Sequence, residues 1–244
     1  VESRAFRLAG PPDRGAAKNS PGMDFPAWLG ILWPKTVAGL PDPRRQARAG
    51  KGKEEIMFGK YTEQEFQQKA EAFHGHAAPG VLLGAFLVEA ARARLPEGCI
   101  FDAVSESRQC LPDAVQLLTP CTFGNGWLKV MDLGIYAVCL YDKQTGEGWR
   151  AAVDPEKLKR FPLTREWFLK LTKKKDQDGD ALRREILEHG AEMVAVRKIQ
   201  MHPEELARRH KGPIAVCPVC GDAYPAKHGG TCLLCAKGRG YDLL

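Results

Sequence analysis

Long apolar runs are scarce in this 244-residue chain. A bilayer-spanning helix needs roughly 18–20 consecutive apolar residues, and no stretch approaches that. The longest apolar stretch near the start, Phe25 to Pro34, is short and bracketed by prolines. It lacks a basic lead-in and a small-residue cleavage site, so it makes a poor secretory signal. No membrane association and a cytoplasmic location are therefore expected. An excess of one charge sign is nearly missing as well. The formal net charge is +6, and residues 1–56 supply +4 of it, from 10 Lys/Arg against 6 Asp/Glu. Residues 57–244 carry 26 against 24, only +2. A body so close to neutral lacks the broad basic face that a large nucleic-acid footprint requires. What remains, 44% hydrophobic and 27% charged, is ordinary for a globular protein and enough chain for one or two domains with a sizeable core.

The chain changes character near residue 56. Residues 1–56 hold 7 of the 17 prolines together with 7 glycines, and no apolar period persists there. That composition predicts a disordered tail. A second reading is that the segment is an extension assigned upstream of the true start. Lys53-Glu54-Glu55 can be encoded by a purine-rich run that reads as a bacterial ribosome-binding site, which makes Met57 a plausible first residue.

Beyond Met57 the pattern sharpens. Thr62-Glu63-Gln64-Glu65 has the form of a capped helix start, and Phe66, Ala70 and Phe73 then share one helical face. Val81–Leu95 is apolar on most sides, opened by Pro79-Gly80 and closed by Pro96, so a buried helix is expected. Strands are expected at Ile100–Val104, Leu128–Met131, Ile135–Tyr141, Trp149–Val153 and Met193–Ile199, with Lys143–Gly146 as a hairpin turn. Helices fit Thr164–Thr172 and Asp180–His189. The mixture predicts an α+β core over 57–201 with a mixed or antiparallel sheet. A linker over 202–212 and a small C-terminal module over 213–244 complete the expected organisation.

That module carries the most specific pattern in the chain. Cys217-x2-Cys220 is followed after eleven residues by Cys232-x2-Cys235. Each C-x-x-C turn presents two thiolates to one ion, and two such turns complete a tetrahedron, the arrangement of a closed structural zinc site. Gly221 can supply the left-handed backbone such a knuckle uses. So small a module has little core, so zinc must contribute much of its stability, on the order of 10 kcal/mol. Iron can occupy the same four sulfurs. His228 lies inside the loop and is expected at the surface. Arg208, Arg209 and Lys211 with Lys227 surround the module as solvated charge or as a small nucleic-acid contact.

A second constellation, Phe73-His74-Gly75-His76-Ala77-Ala78-Pro79-Gly80, stands at a loop-to-helix junction. In extended backbone, His74 and His76 would point the same way. Taken alone, a His-x-His is more often structural or solvated than a ligand pair. Further along come Cys110-Leu111-Pro112-Asp113-Ala114-Val115-Gln116, then Cys121-Thr122-Phe123-Gly124-Asn125-Gly126, then Asp132-Leu133-Gly134. In order and spacing these resemble the E-subunit family of formylmethanofuran dehydrogenase, over roughly residues 62–155. The family pattern runs F-H-G-H-x-C-P-G, a Cys before D-A-x-Q, then G-C-T-F-G-K-G and D-x-G, and many members end in a zinc finger. Two positions depart from it, Ala78 in place of the family's Cys and Pro120 in place of a Gly.

The resemblance implies an α+β core, often dimeric, with a polar pocket. Carried over by position, His74, His76, Cys110 and Cys121 would line that pocket. Imidazole and thiolate together suit zinc or another late transition metal. Cys99 and Cys139 fall in or beside apolar strands and are expected in the core, and Asp132 and Tyr136 stand near enough in sequence to reach the pocket.

Three functions compete. The resemblance implies a zinc-binding accessory protein, partnered with a molybdenum- or tungsten-dependent formylmethanofuran or formate dehydrogenase. In that role it would handle metal or sulfur, because the chain shows neither ferredoxin cysteine spacing nor a pterin signature. A zinc-finger regulator with a ligand-sensing core is the second, motivated by Arg208-Arg209-His210-Lys211 and disfavoured by the near-neutral body. A thiol redox protein using Cys110 and Cys121 is the third, which needs the fold to bring the two together.

Overall fold

A computed structural model describes residues 56–207 and 212–238. The expectations placed on residues 1–55 and on Arg208, Arg209, His210 and Lys211 lie outside the described residues.

The core is a five-stranded mixed sheet with its longer helices packed on one face. In chain order a short hairpin, β1 (Met57–Phe58) and β2 (Tyr61–Thr62), leads into α1 (Glu63–His74) and α2 (Pro79–Arg92). Then come β3 (Phe101–Ser105), α3 (Leu111–Leu118), β4 (Leu128–Val130), β5 (Ala137–Asp142) and β6 (Glu147–Val153). The helices α4 (Pro162–Phe168) and α5 (Gly179–His189) follow, then β7 (Val194–Gln200) and α6 (Pro203–Leu206). The sheet order is β4-β3-β5-β6-β7. β3 and β4 are parallel, joined through α3, and the other neighbours are antiparallel.

Local chemistry sets these elements. Thr62 and Glu65 form the expected capping box on α1, the Thr62 hydroxyl accepting from the Glu65 amide and the Glu65 carboxylate from the Thr62 amide. Gly75 ends the helix at φ 90°, a left-handed cap that glycine adopts at no steric cost. Phe66 and Ala70 are fully buried, with Phe66 against Phe58 at 4.9 Å, but Phe73 on the same stripe is exposed. It lies one residue from the helix end.

Helix α2 is apolar on nearly every side, so it can be stable only inside. It packs against α3, α5 and strands β5–β7, with Val81, Leu82, Leu83, Leu87 and Val88 fully buried. Between β5 and β6 the expected turn forms, with Gly146 at φ 74° and the Asp142 carboxylate accepting from the Gln144 and Thr145 amides. On the far side of the sheet Val104, Cys139 and Tyr141 form a small cluster beneath Met131, Ile199, Met201 and Leu206.

Two differences from expectation stand out. α3 occupies a stretch that the sequence marks only by its motif residues. Its Leu111, Ala114, Val115 and Leu118 recur at helical spacing and are buried. The beginning of the expected linker is also structured: in α6, Leu206 joins the far-side cluster and Glu205 pairs with Lys129 at 3.3 Å.

The C-terminal module has its own small cluster, Cys217, Tyr224 and Cys232. It consists of the hairpin β8 (Ile214–Val216) and β9 (Ala223–Pro225), a 3₁₀ turn over Ala226–His228, and the short helix α7 (Leu233–Lys237).

Candidate functional site

The four finger cysteines gather as their spacing requires. Their sulfurs all lie within 4.8 Å of one another. Cys220 Sγ and Cys232 Sγ are 3.6 Å apart. Backbone amides turn toward the sulfurs, Cys232 N–H to Cys217 Sγ at 3.5 Å and Cys235 N–H to Cys232 Sγ at 3.4 Å. The amides of Cys232 and Cys220 pull the Cys217 thiol down to about 6. Gly221 sits at φ 79°, as the knuckle needs. This donor set fits zinc: four sulfurs, one preset toward thiolate, and no position left for substrate. His228 is exposed and does not belong to the group. Among the described residues this is the one cluster of three or more His, Cys, Asp or Glu side chains drawn that close.

The core motif residues converge only in part. His74, the last residue of α1, turns its Nδ1 to Asp113 Oδ2 at 2.6 Å. A carboxylate only accepts, so Nδ1 carries a proton, and in the neutral ring Nε2 is left as an acceptor. Nε2 faces Cys110 Sγ at 3.8 Å. The ring of His76 stands 5.1 Å from that of His74 and is exposed. Burial, then the Asp113 carboxylate, push the Cys110 thiol up. Cys110 is therefore a resting thiol that faces His74 Nε2.

Cys110 also has an uncommon backbone. It caps α3 at φ 55°, ψ −49°, a region that few residues other than glycine occupy. Such strain persists where surrounding structure over-determines it, and it clusters at functional sites. Gly80 makes room for the thiol, since a Cβ there would lie 2.8 Å from both Cβ and Sγ of Cys110. The Tyr136 hydroxyl donates to the Gly80 carbonyl at 2.5 Å, and its own ionisation is pushed well up by burial and then by Cys110. Tyr136 thus reaches the site, whereas Asp132 turns away to Arg108 at 3.3 Å.

Cys121 stands apart. It follows the C-terminus of α3, while Cys110 caps the N-terminus, and eight helical residues span about 12 Å. Its buried thiol donates to the Phe101 carbonyl at 3.5 Å, and burial raises it to about 11. The structure therefore brings His74, His76 and Cys110 together, adds Asp113, and leaves Cys121 in the core. Cys99 is half-buried with its thiol toward Asp142, and Cys139 is buried beside Glu106. Sequence reasoning does not single out Asp113 as a site residue. The available signal is its place three residues after Cys110, in the first turn of a short helix.

Fold and site together define a two-part protein, an α+β core that holds a thiol–imidazole–carboxylate line and a finger whose four cysteines are gathered as a metal site. The family model described as "FmdE, Molybdenum formylmethanofuran dehydrogenase operon" matches residues 73–201, and the FmdE treble clef zinc finger model matches residues 208–242. The chain belongs to the FmdE family. It is similar, at 48% identity and TM-score 0.70, to the crystal structure of a tungsten formylmethanofuran dehydrogenase FmdE-like protein from Syntrophus aciditrophicus, over 77% of this chain and 98% of that one. It is also 29% identical over 192 residues to a probable S-adenosyl-L-methionine-binding protein of Archaeoglobus fulgidus. That match covers 69% of this chain and 51% of the relative, so the chain spans about half the relative's length. Among the described residues no helix is long and apolar enough to cross a membrane.

Proposed function

We propose that this zinc-binding FmdE-family protein is an accessory of a molybdenum- or tungsten-dependent dehydrogenase of the formylmethanofuran or formate type. In this reading it prepares or supplies that enzyme and does not carry its redox centre. The observation behind the reading is how ligating chemistry is divided. Four sulfurs are drawn together in the finger, where zinc acts as a staple. In the core a thiol and two imidazoles meet near the end of α1 and the starts of α2 and α3, with Cys110 half-buried and His76 exposed. That arrangement suits a protein that receives and passes on a group. The family description and the name of the solved relative support the choice of partner enzyme.

Deleting the gene for this chain in its host tests the reading. The expected result is a molybdenum or tungsten dehydrogenase whose polypeptide level is unchanged but whose metal content or activity falls, with recovery when the wild-type gene is returned. A dehydrogenase with full metal content and activity in the deletion strain would overturn it.

A further inference from the structure

Three observations around Cys110 meet in one geometry, independently of which enzyme the chain serves. The first is the line from Asp113 Oδ2 to His74 Nδ1 at 2.6 Å and from His74 Nε2 to Cys110 Sγ at 3.8 Å. Nucleophile, base and orienting carboxylate stand in the order that activates a weak nucleophile. The second is the Cys110 backbone at φ 55°, which presents the thiol on a tight turn between β3 and α3. The third lies across the site. Helix α2 begins at Pro79 with no side-chain cap, and the buried Gly80 and Val81 amides find no acceptor among the described residues. Those amides open a fourteen-residue helix beside the Cys110 sulfur. Uncapped donors at a helix N-terminus favour negative charge.

We propose that Cys110, His74 and Asp113 form a nucleophilic relay that takes an activated acyl group onto Cys110 Sγ, with the Gly80 and Val81 amides receiving the acyl oxygen. Cys110 and His74 are the catalytic residues, and Asp113 is a positioning residue that fixes the His74 tautomer. The step balances without an oxidant or a reductant. The thiol proton passes to His74 Nε2 as sulfur bonds to the acyl carbon. The carbonyl electron pair moves onto oxygen and returns as the bond to the leaving group breaks. The leaving group then takes the proton from Nε2. The products are an acyl thioester on Cys110 and the protonated leaving group. A thioester or an activated ester is the substrate class this chemistry fits.

The test uses the full zinc-loaded chain and p-nitrophenyl acetate. The expected result is a burst of about one equivalent of nitrophenol per chain, with the acetyl group found on Cys110 by peptide mass spectrometry. Cys99 is a similarly half-buried thiol and serves as the internal control. It should label far more slowly, and this comparison within wild type decides the matter even where a variant folds poorly. His74→Asn should slow the burst about a hundredfold. Asp113→Asn should slow it too, with partial rescue by Asp113→Glu, which a purely structural role would not produce. Acetylation of Cys99 as fast as Cys110, or a burst unchanged in His74→Asn, would overturn the relay.

Discussion

At the scale of single residues, Gly80 is where packing and chemistry meet. A side chain there has no room, since its Cβ would stand 2.8 Å from the Cys110 thiol. One turn further along, a Cβ at Gly84 would stand 2.9 Å from Ala114 Cβ, so the two glycines set how closely α2 and α3 cross. Gly80→Ala should cost about 1–3 kcal/mol through overpacking. It should also displace the Cys110 sulfur from His74 and slow modification of the thiol by a small electrophile. Gly84→Ala should cost a similar amount of stability while affecting that modification less, because its new methyl presses on Ala114 and Leu111, not on the sulfur. Urea denaturation of both variants, with labelling of Cys110, checks this. A Gly80→Ala protein as stable and as reactive as wild type would mean that the helices cross less closely than described.

At the scale of elements, a buried carboxylate and its arginine tie strands across the sheet's far face. Arg150 on β6 grips Glu106, just past β3, through two contacts of 2.6 Å, and Glu106 is buried. The Glu106 carbonyl also accepts the Leu133 and Ile135 amides, so the same residue pins the segment leading into β5. Glu106→Ala would strand a partly buried guanidinium and should cost about 3–5 kcal/mol. The double variant Glu106→Met with Arg150→Met should recover most of that loss, because no charge is left unpaired. Equal loss in the single and double variants, read by urea denaturation, would show that the pair does not tie the strands. None of this pairing is legible in the sequence. Strands and long helices are legible because their apolar period repeats, as in α2, α5 and β5. The helix α3 escapes because eight residues opening on Cys-Leu-Pro give little more than two turns of pattern. Missing that helix hides the separation of Cys110 from Cys121, which the motif spacing alone makes look like one pocket. The finger is legible almost whole because four cysteines in two C-x-x-C turns have few other uses. His74 is legible as a candidate, but its carboxylate partner lies 39 residues away and is fixed by tertiary packing.

At the scale of the whole molecule, the buried core thiols make stability depend on pH. In the core, burial raises Cys121 to about 11 and Cys139 to about 12, against 9.0 for an ordinary thiol. Between pH 9 and those values the unfolded chain has released protons that the folded chain still binds. Stability therefore falls as pH rises through that window and is fully present below it, with each of these thiols contributing a slope of up to about 1.4 kcal/mol per pH unit. Thermal unfolding followed under reducing conditions from about pH 8 to about pH 11 should show the core transition moving steadily lower. The decline should be shallower in Cys139→Ala and in Cys121→Ala, since each removes one differential proton and leaves the other. A wild-type core transition that stays level across this range would mean that neither thiol is held protonated by the fold. Equal slopes in wild type and both variants would assign the decline to other groups, of which Tyr136, whose ionisation burial also pushes up, is the next to test.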